Sequence, residues 1–181
     1  MPAAAVVAAG RSAQRCESII RRGTVPPSAA ALDEELATRH VRAWYFLVVT
    51  VGLHVLDEAT TGFLGFYNPL ILRIRTEWPR FPMPTFTFRV WFTGLILLVL
   101  VLALLGPLVR RGAAGTRALS GILSAIMLLN GLGHLVGSVY FARWLPGATS
   151  APLLLIASAA LATHAWRRGR PGGTETAERA A

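Results

Sequence analysis

The sequence contains no lysine; all 18 of its basic residues are arginine. It has a single cysteine, Cys16, which excludes an internal disulfide and any metal site built on thiolates. Charge of either sign is scarce. Only 15% of the 181 residues are charged, against about 25% in an ordinary soluble domain. Nucleic-acid binding needs a basic face on a soluble fold, and the arginines here flank apolar runs instead, so no nucleic-acid partner is expected. The opening AAAVVAA segment lacks a basic stretch ahead of it, so it does not read as a secretory signal.

What the sequence has is apolar length. Hydrophobic residues make up 54% of it, gathered into four runs at 41–66, 90–109, 117–141 and 150–166. The expectation is an all-α, four-helix transmembrane bundle in one membrane domain, 41–168. Residues 1–40 and 169–181 are expected to be disordered cytoplasmic tails. Trp44 and Tyr45 fit an interfacial belt at the start of the first run. Residues 67–89 hold Pro69, Pro79, Pro82 and Pro84 and read as a loop capping the helix ends, with a short surface helix at 70–75. The flanks and the second loop carry Arg39, Arg42, Arg110, Arg111, Arg117, Arg167, Arg168 and Arg170. The other side carries Arg73, Arg75, Arg80, Arg89 and Arg143. That bias predicts a multi-pass protein of the cell membrane, its partner the lipid bilayer, with both termini in the cytoplasm.

Against this background the polar residues inside the runs stand out. His54, Asp57 and Glu58 sit at i, i+3 and i+4 near the middle of the first run, on one helical face. Each charge at that depth costs about 2.5–3.5 kcal/mol on insertion scales, so these groups face protein or water and have partners. In the third run Asn130 and His134 also share a face. Gly133 and Gly137 form a GxxxG step suited to close helix approach. With the first and third helices running in the same direction, equal distances from the helix starts put His54 level with Asn130 and Glu58 level with His134.

Two imidazoles and two carboxylates suit a divalent metal such as zinc or iron, with His54, Asp57, Glu58 and His134 as ligands and Asn130 in support. The same His54, Glu58 and His134 can serve as catalytic acid and base groups acting on a lipid-like or small-molecule substrate. A small proton-linked transporter or channel uses the same residues, and so does a network that only fixes helix register. A channel needs polar residues on to the inner face, and there only Thr50, Ser120 and Ser124 are offered. Thr149 or Ser150 is placed to cap the fourth helix. His40 and His164 read as interfacial polar residues.

The run His54-Val-Leu-Asp57-Glu58 resembles the HXXEE motif of a family of bacterial integral membrane proteins. Asn130-Gly-Leu-Gly-His134 is similar to that family's second motif, Asn-Ala-x-x-His. Pro146-Gly147-Ala148-Thr149-Ser150 is similar to its Pro-Gly turn leading to a threonine. The likeness covers about residues 46–165. It departs at Asp57, which stands for the first glutamate, at Gly131, which stands for alanine, and in the shorter spacing from Gly147 to Thr149 or Ser150. The resemblance implies four spans and a site at these motifs, with Thr149 in support, and implies no particular reaction.

Overall fold

The computed structural model describes residues 28–167. Cys16 and the expected disorder of 1–27 and 169–181 lie outside the described residues. The chain divides by internal packing after Glu35. Of the first unit only Ser28 and the opening of helix α1 are described. Ser28 Oγ accepts from the Ala31 N–H at 3.2 Å, an N-terminal cap. Helix therefore begins at Ala29, and the tail expected to reach residue 40 is helical from there.

Among the described residues there are five helices and no strand: α1 Ala29–Thr61, α2 Phe63–Glu77, α3 Phe88–Arg110, α4 Thr116–Tyr140 and α5 Ala151–Arg167. The first apolar run is not one rod. Gly62 adopts φ 79° and ψ 40°, the left-handed region that a Cβ disfavours, and α2 leaves α1 at 80°. Of the segment 67–89 read as a loop, the part through Glu77 is helix, with Pro69 inside it, and takes in the short helix expected at 70–75. Residues 79–87 fold back along α2. The Asn68 amide clamps them at two points, donating to Phe86 O at 2.9 Å and accepting from Phe86 N–H at 3.1 Å. Tyr67 Oη donates to Pro84 O at 3.0 Å.

By length and apolarity α3 and α4 can each cross a membrane. The bent pair α1–α2 makes a third candidate if it counts as one span. The four full spans expected are not reached on length alone. Helix α5 has 17 residues, about 25 Å of rise, against a hydrocarbon core of about 30 Å.

The core joins α1, α3, α4 and α5 through Trp44, Leu47, Val51, Val55, Leu102, Leu123, Leu154 and Leu161. Trp44 faces the protein core. It is fully buried, and its indole N–H donates to Leu102 O of α3 at 2.9 Å. Tyr45 Oη reaches Ala103 O at 3.3 Å and lies where a side chain at Gly106 would be. Two contacts fix the direction of α4: His40 Nε2 meets Ser120 Oγ at 3.0 Å, and His54 Nε2 lies 3.1 Å from Asn130 Oδ1. Sequence number rises together on both helices, so α1 and α4 are parallel. The turn 141–150 returns α5 antiparallel along α4. Close packing there comes at Gly131, where a Cβ would stand 3.0 Å from Leu155, and at Gly137, 2.8 Å from Leu145. Gly133 faces open space, so the GxxxG step is not the packing seam.

Candidate functional site

The site forms where α1 ends, α4 passes and the turn into α5 closes over both. His54 and Glu58 stand one turn apart on the buried face of α1, and His134 projects from α4. They are 3%, 5% and 9% exposed. Glu58 Oε1 lies 3.1 Å from His134 Nε2 and 3.6 Å from His54 Nε2. The two imidazoles meet edge to face, with centroids 4.8 Å apart. One donor atom from each of the three residues falls within 4.8 Å of the others. The pairings follow the register read from the sequence: His54 beside Asn130, Glu58 beside His134. The Phe63 ring, first residue of α2, lies 5.9 Å from His134 and stacks on Trp91 at 5.7 Å, covering the cluster from the bend.

Asp57 is adjacent in sequence and absent from this trio. Its Oδ2 accepts from the Ser150 amide at 2.9 Å and from the Ser150 hydroxyl at 2.7 Å. A carboxylate at a helix N-terminus satisfies a free amide and opposes the positive end of the dipole. Asp57 therefore caps α5 from another helix and is not placed as a ligand. Ser150, expected as a cap of the last helix or at the threonine position of the Pro-Gly turn, connects the two halves of the site. Its one hydrogen goes to the Asp57 carboxylate, so its oxygen accepts from His54 Nδ1–H at 2.8 Å. That puts a proton on Nδ1, and Nε2 faces Asn130 Oδ1 and Glu58 Oε1, two acceptors, so it either carries a second proton or gives its lone pair to a cation there.

Thr149 stands elsewhere. It is exposed, and its hydroxyl accepts from Trp144 Nε1–H at 3.1 Å. The Pro146-Gly147 turn has a direct purpose. Gly147 has φ 84°, and a Cβ there would lie 2.7 Å from His134 Cε1 and 3.0 Å from Glu58 Cγ. Only glycine lets the backbone close on the cluster. Ser138 holds the turn from α4, donating to His134 O at 2.7 Å and accepting from Leu145 N–H at 3.1 Å.

All three stretches singled out in the sequence thus meet in one place. Residues 44–162 match the family model described as a protein of unknown function with an HXXEE motif. The chain belongs to that HXXEE family. The matched range holds the motif at 54–58, the Asn130–His134 step and the Pro-Gly turn. No curated protein and no solved structure matches the chain.

His40 is buried, at 8% exposure. It lies on α1 far from the cluster, and His164 is partly buried near the end of α5. Neither is among the residues that come together at the site.

Proposed function

We propose that this HXXEE protein is an integral membrane protein holding a divalent metal at His54, Glu58 and His134, and that the metal serves membrane-embedded chemistry on a lipid-like or small substrate. The observation that carries the proposal is the trio itself: three buried donors of the right type, from two helices, with one atom each inside 4.8 Å. Zinc takes nitrogen ligands at about 2.0–2.1 Å and carboxylate oxygen at about 2.0–2.2 Å; a tetrahedral arrangement then spaces neighbouring donors roughly 3.4 Å apart. The two distances to Glu58, 3.1 and 3.6 Å, bracket that value. Three protein ligands are the pattern of catalytic sites, which keep one position open.

The surroundings agree with a cation. His54 and Glu58 lie in the last two turns of α1, where the carbonyl end of a helix is electronegative. The Asp57–Ser150–His54 chain fixes the ring so that Nε2 faces the site. This is the kind of outer hydrogen bond that orients metal-bound histidines. A bound divalent ion would supply polarisation of a carbonyl or phosphoryl oxygen. His134 and Glu58 hold the opposite side, and Phe63 and Trp91 keep water away from the bend. Just past His134, α4 exposes an apolar groove along Leu135, Val136, Val139 and Tyr140, a surface that suits an acyl chain.

In the proposed topology α5 completes a thin fourth pass beside the bent α1–α2 pair, with both termini in the cytoplasm and the cluster in the outer half. Elemental analysis of protein purified without chelator tests the metal reading. Stoichiometric zinc or iron supports it. Its absence at full folding leaves a polar network that only sets helix register.

A further inference from the structure

Helix hydroxyls in this protein mostly bond back to their own backbone. Thr60, Ser120, Ser124 and Ser138 donate to the carbonyl four residues earlier, at 2.6–2.8 Å. Two hydroxyls do not. Thr50 Oγ1 and Ser158 Oγ, on residues 1% and 0% exposed, have no hydrogen-bond partner among the described residues. Buried hydroxyls are nearly always paired, and where protein does not supply the partner, ordered water does.

Their positions form a pattern. Thr50 stands one turn before His54 on the same buried face of α1. Ser158 lies two turns along α5 from Ser150, which touches His54. At about 1.5 Å per residue, Thr50 lies about 6 Å below the His54 level, Ser124 about 9 Å, Ser158 about 12 Å and Ser120 about 15 Å. The direction is the same on all three helices, since α1 and α4 are parallel and α5 returns. Ser120 gives its hydrogen to Thr116 O at 2.8 Å, so it is the acceptor for His40 Nε2–H at 3.0 Å. Buried hydroxyls thus follow one another in axial steps of about 3 Å, but on three helices whose axes pack about 8–10 Å apart, so water rather than direct contact would have to join them. Leu47, Val51, Leu123, Leu154 and Leu161, from the same three helices, belong to one hydrophobic core cluster.

We infer that Thr50 and Ser158 bind internal water, and that this water is the middle of a hydrogen-bonded column joining the His54 level to the buried His40–Ser120 pair. The sequence offered Thr50, Ser120 and Ser124 for this half of the bundle, too few for a continuous path. The structure adds Ser158 and His40 and buries all five. Such a column gives the cluster access to water and protons from the end opposite its lid. The inference stands whether or not the cluster holds a metal.

X-ray radiolytic labelling of the full-length protein in detergent tests it, because radicals made from bound water oxidise the side chains beside it. Leu47 and Leu154 are each fully buried and precede Thr50 and Ser158 by three and four residues. Leu102 on α3, 4% exposed, is a buried leucine slightly more open than either, on a helix with no buried hydroxyl. Leu47 and Leu154 should label several-fold faster than Leu102. The shape-conserving Thr50→Val and Ser158→Ala should bring both down to the Leu102 rate, with Leu102 itself unchanged as the sign of an intact core. Labelling of Leu47 and Leu154 no faster than Leu102 in the unsubstituted protein would overturn the inference. So would fast labelling that neither substitution alters.

Discussion

Gly147 lies so close to His134 that a single added methyl group would overlap its ring, 2.7 Å from Cε1. The turn between α4 and α5 is therefore a wall of the cluster, and backbone forms that wall because no side chain fits.

Gly147→Ala should be damaging for two reasons. The left-handed φ of 84° costs a residue with a Cβ about 1–2 kcal/mol, and the ring of His134 must move. Melting in detergent should fall by roughly 2–8 °C. Gly133→Ala provides the contrast. That glycine is inside α4 with nothing within 4 Å of a new Cβ, so alanine should stabilise the helix by up to about 1 kcal/mol. Equal losses at both positions would refute the assignment of Gly147 to the site wall.

Ser150 and Thr149 are neighbours with different expected roles. Ser150→Ala removes the acceptor for His54 Nδ1–H and one of two bonds to Asp57. Metal affinity should drop about 10–100-fold, the usual effect of losing an orienting partner. Asp57→Asn should act in the same direction through the same chain. Thr149→Ala loses only a contact with Trp144 and should leave affinity unchanged. Competition titration against a chelating dye ranks the three. A Thr149→Ala protein weaker than Ser150→Ala would contradict the relay.

Much of the site was legible because it depends on helical spacing. One face carries His54 and Glu58, another carries Asn130 and His134, and equal depth brings them together. What escaped depends on a bend and a turn. Gly62 lies inside the first apolar run, 41–66, and only its backbone angles mark the break, so 63–66 reads as the end of the first helix and 67–77 as loop with a short helix at 70–75. Asp57 was grouped with Glu58 because the two are adjacent, yet successive residues on a helix point about 100° apart. That difference sends one to the cluster and the other to the start of α5. Ser150 reads in the sequence as a local cap or as one of two residues that could end the Pro-Gly turn. Its link to His54 crosses from α5 to α1, and no spacing within either segment encodes that. Trp44 reads as a belt residue from its place at the start of an apolar run, and its burial in the protein core was not legible because the helix begins earlier, at Ala29.

The proposed sidedness rests on the arginine bias. Reporter fusions at Ala181 and within residues 76–85 should report opposite faces, with Ala181 cytoplasmic. The same face for both would remove the proposed pass of α5 or of the α1–α2 pair.

The central claim is that the buried trio holds a metal, and metal content measured beside melting temperature on the same preparations tests it most directly. The unsubstituted protein should carry stoichiometric zinc or iron. His54→Ala and His134→Ala should lose it, and Asn130→Ala should keep it with weaker affinity. A network that only sets helix register behaves differently. It would carry no metal in any variant, and each single substitution would strand a buried partner at about 1–3 kcal/mol. Replacing His54 and Asn130 together by leucine would then restore the melting temperature. Stoichiometric metal lost with either histidine is the result expected here; metal-free protein whose stability returns in the paired leucine variant would contradict the account.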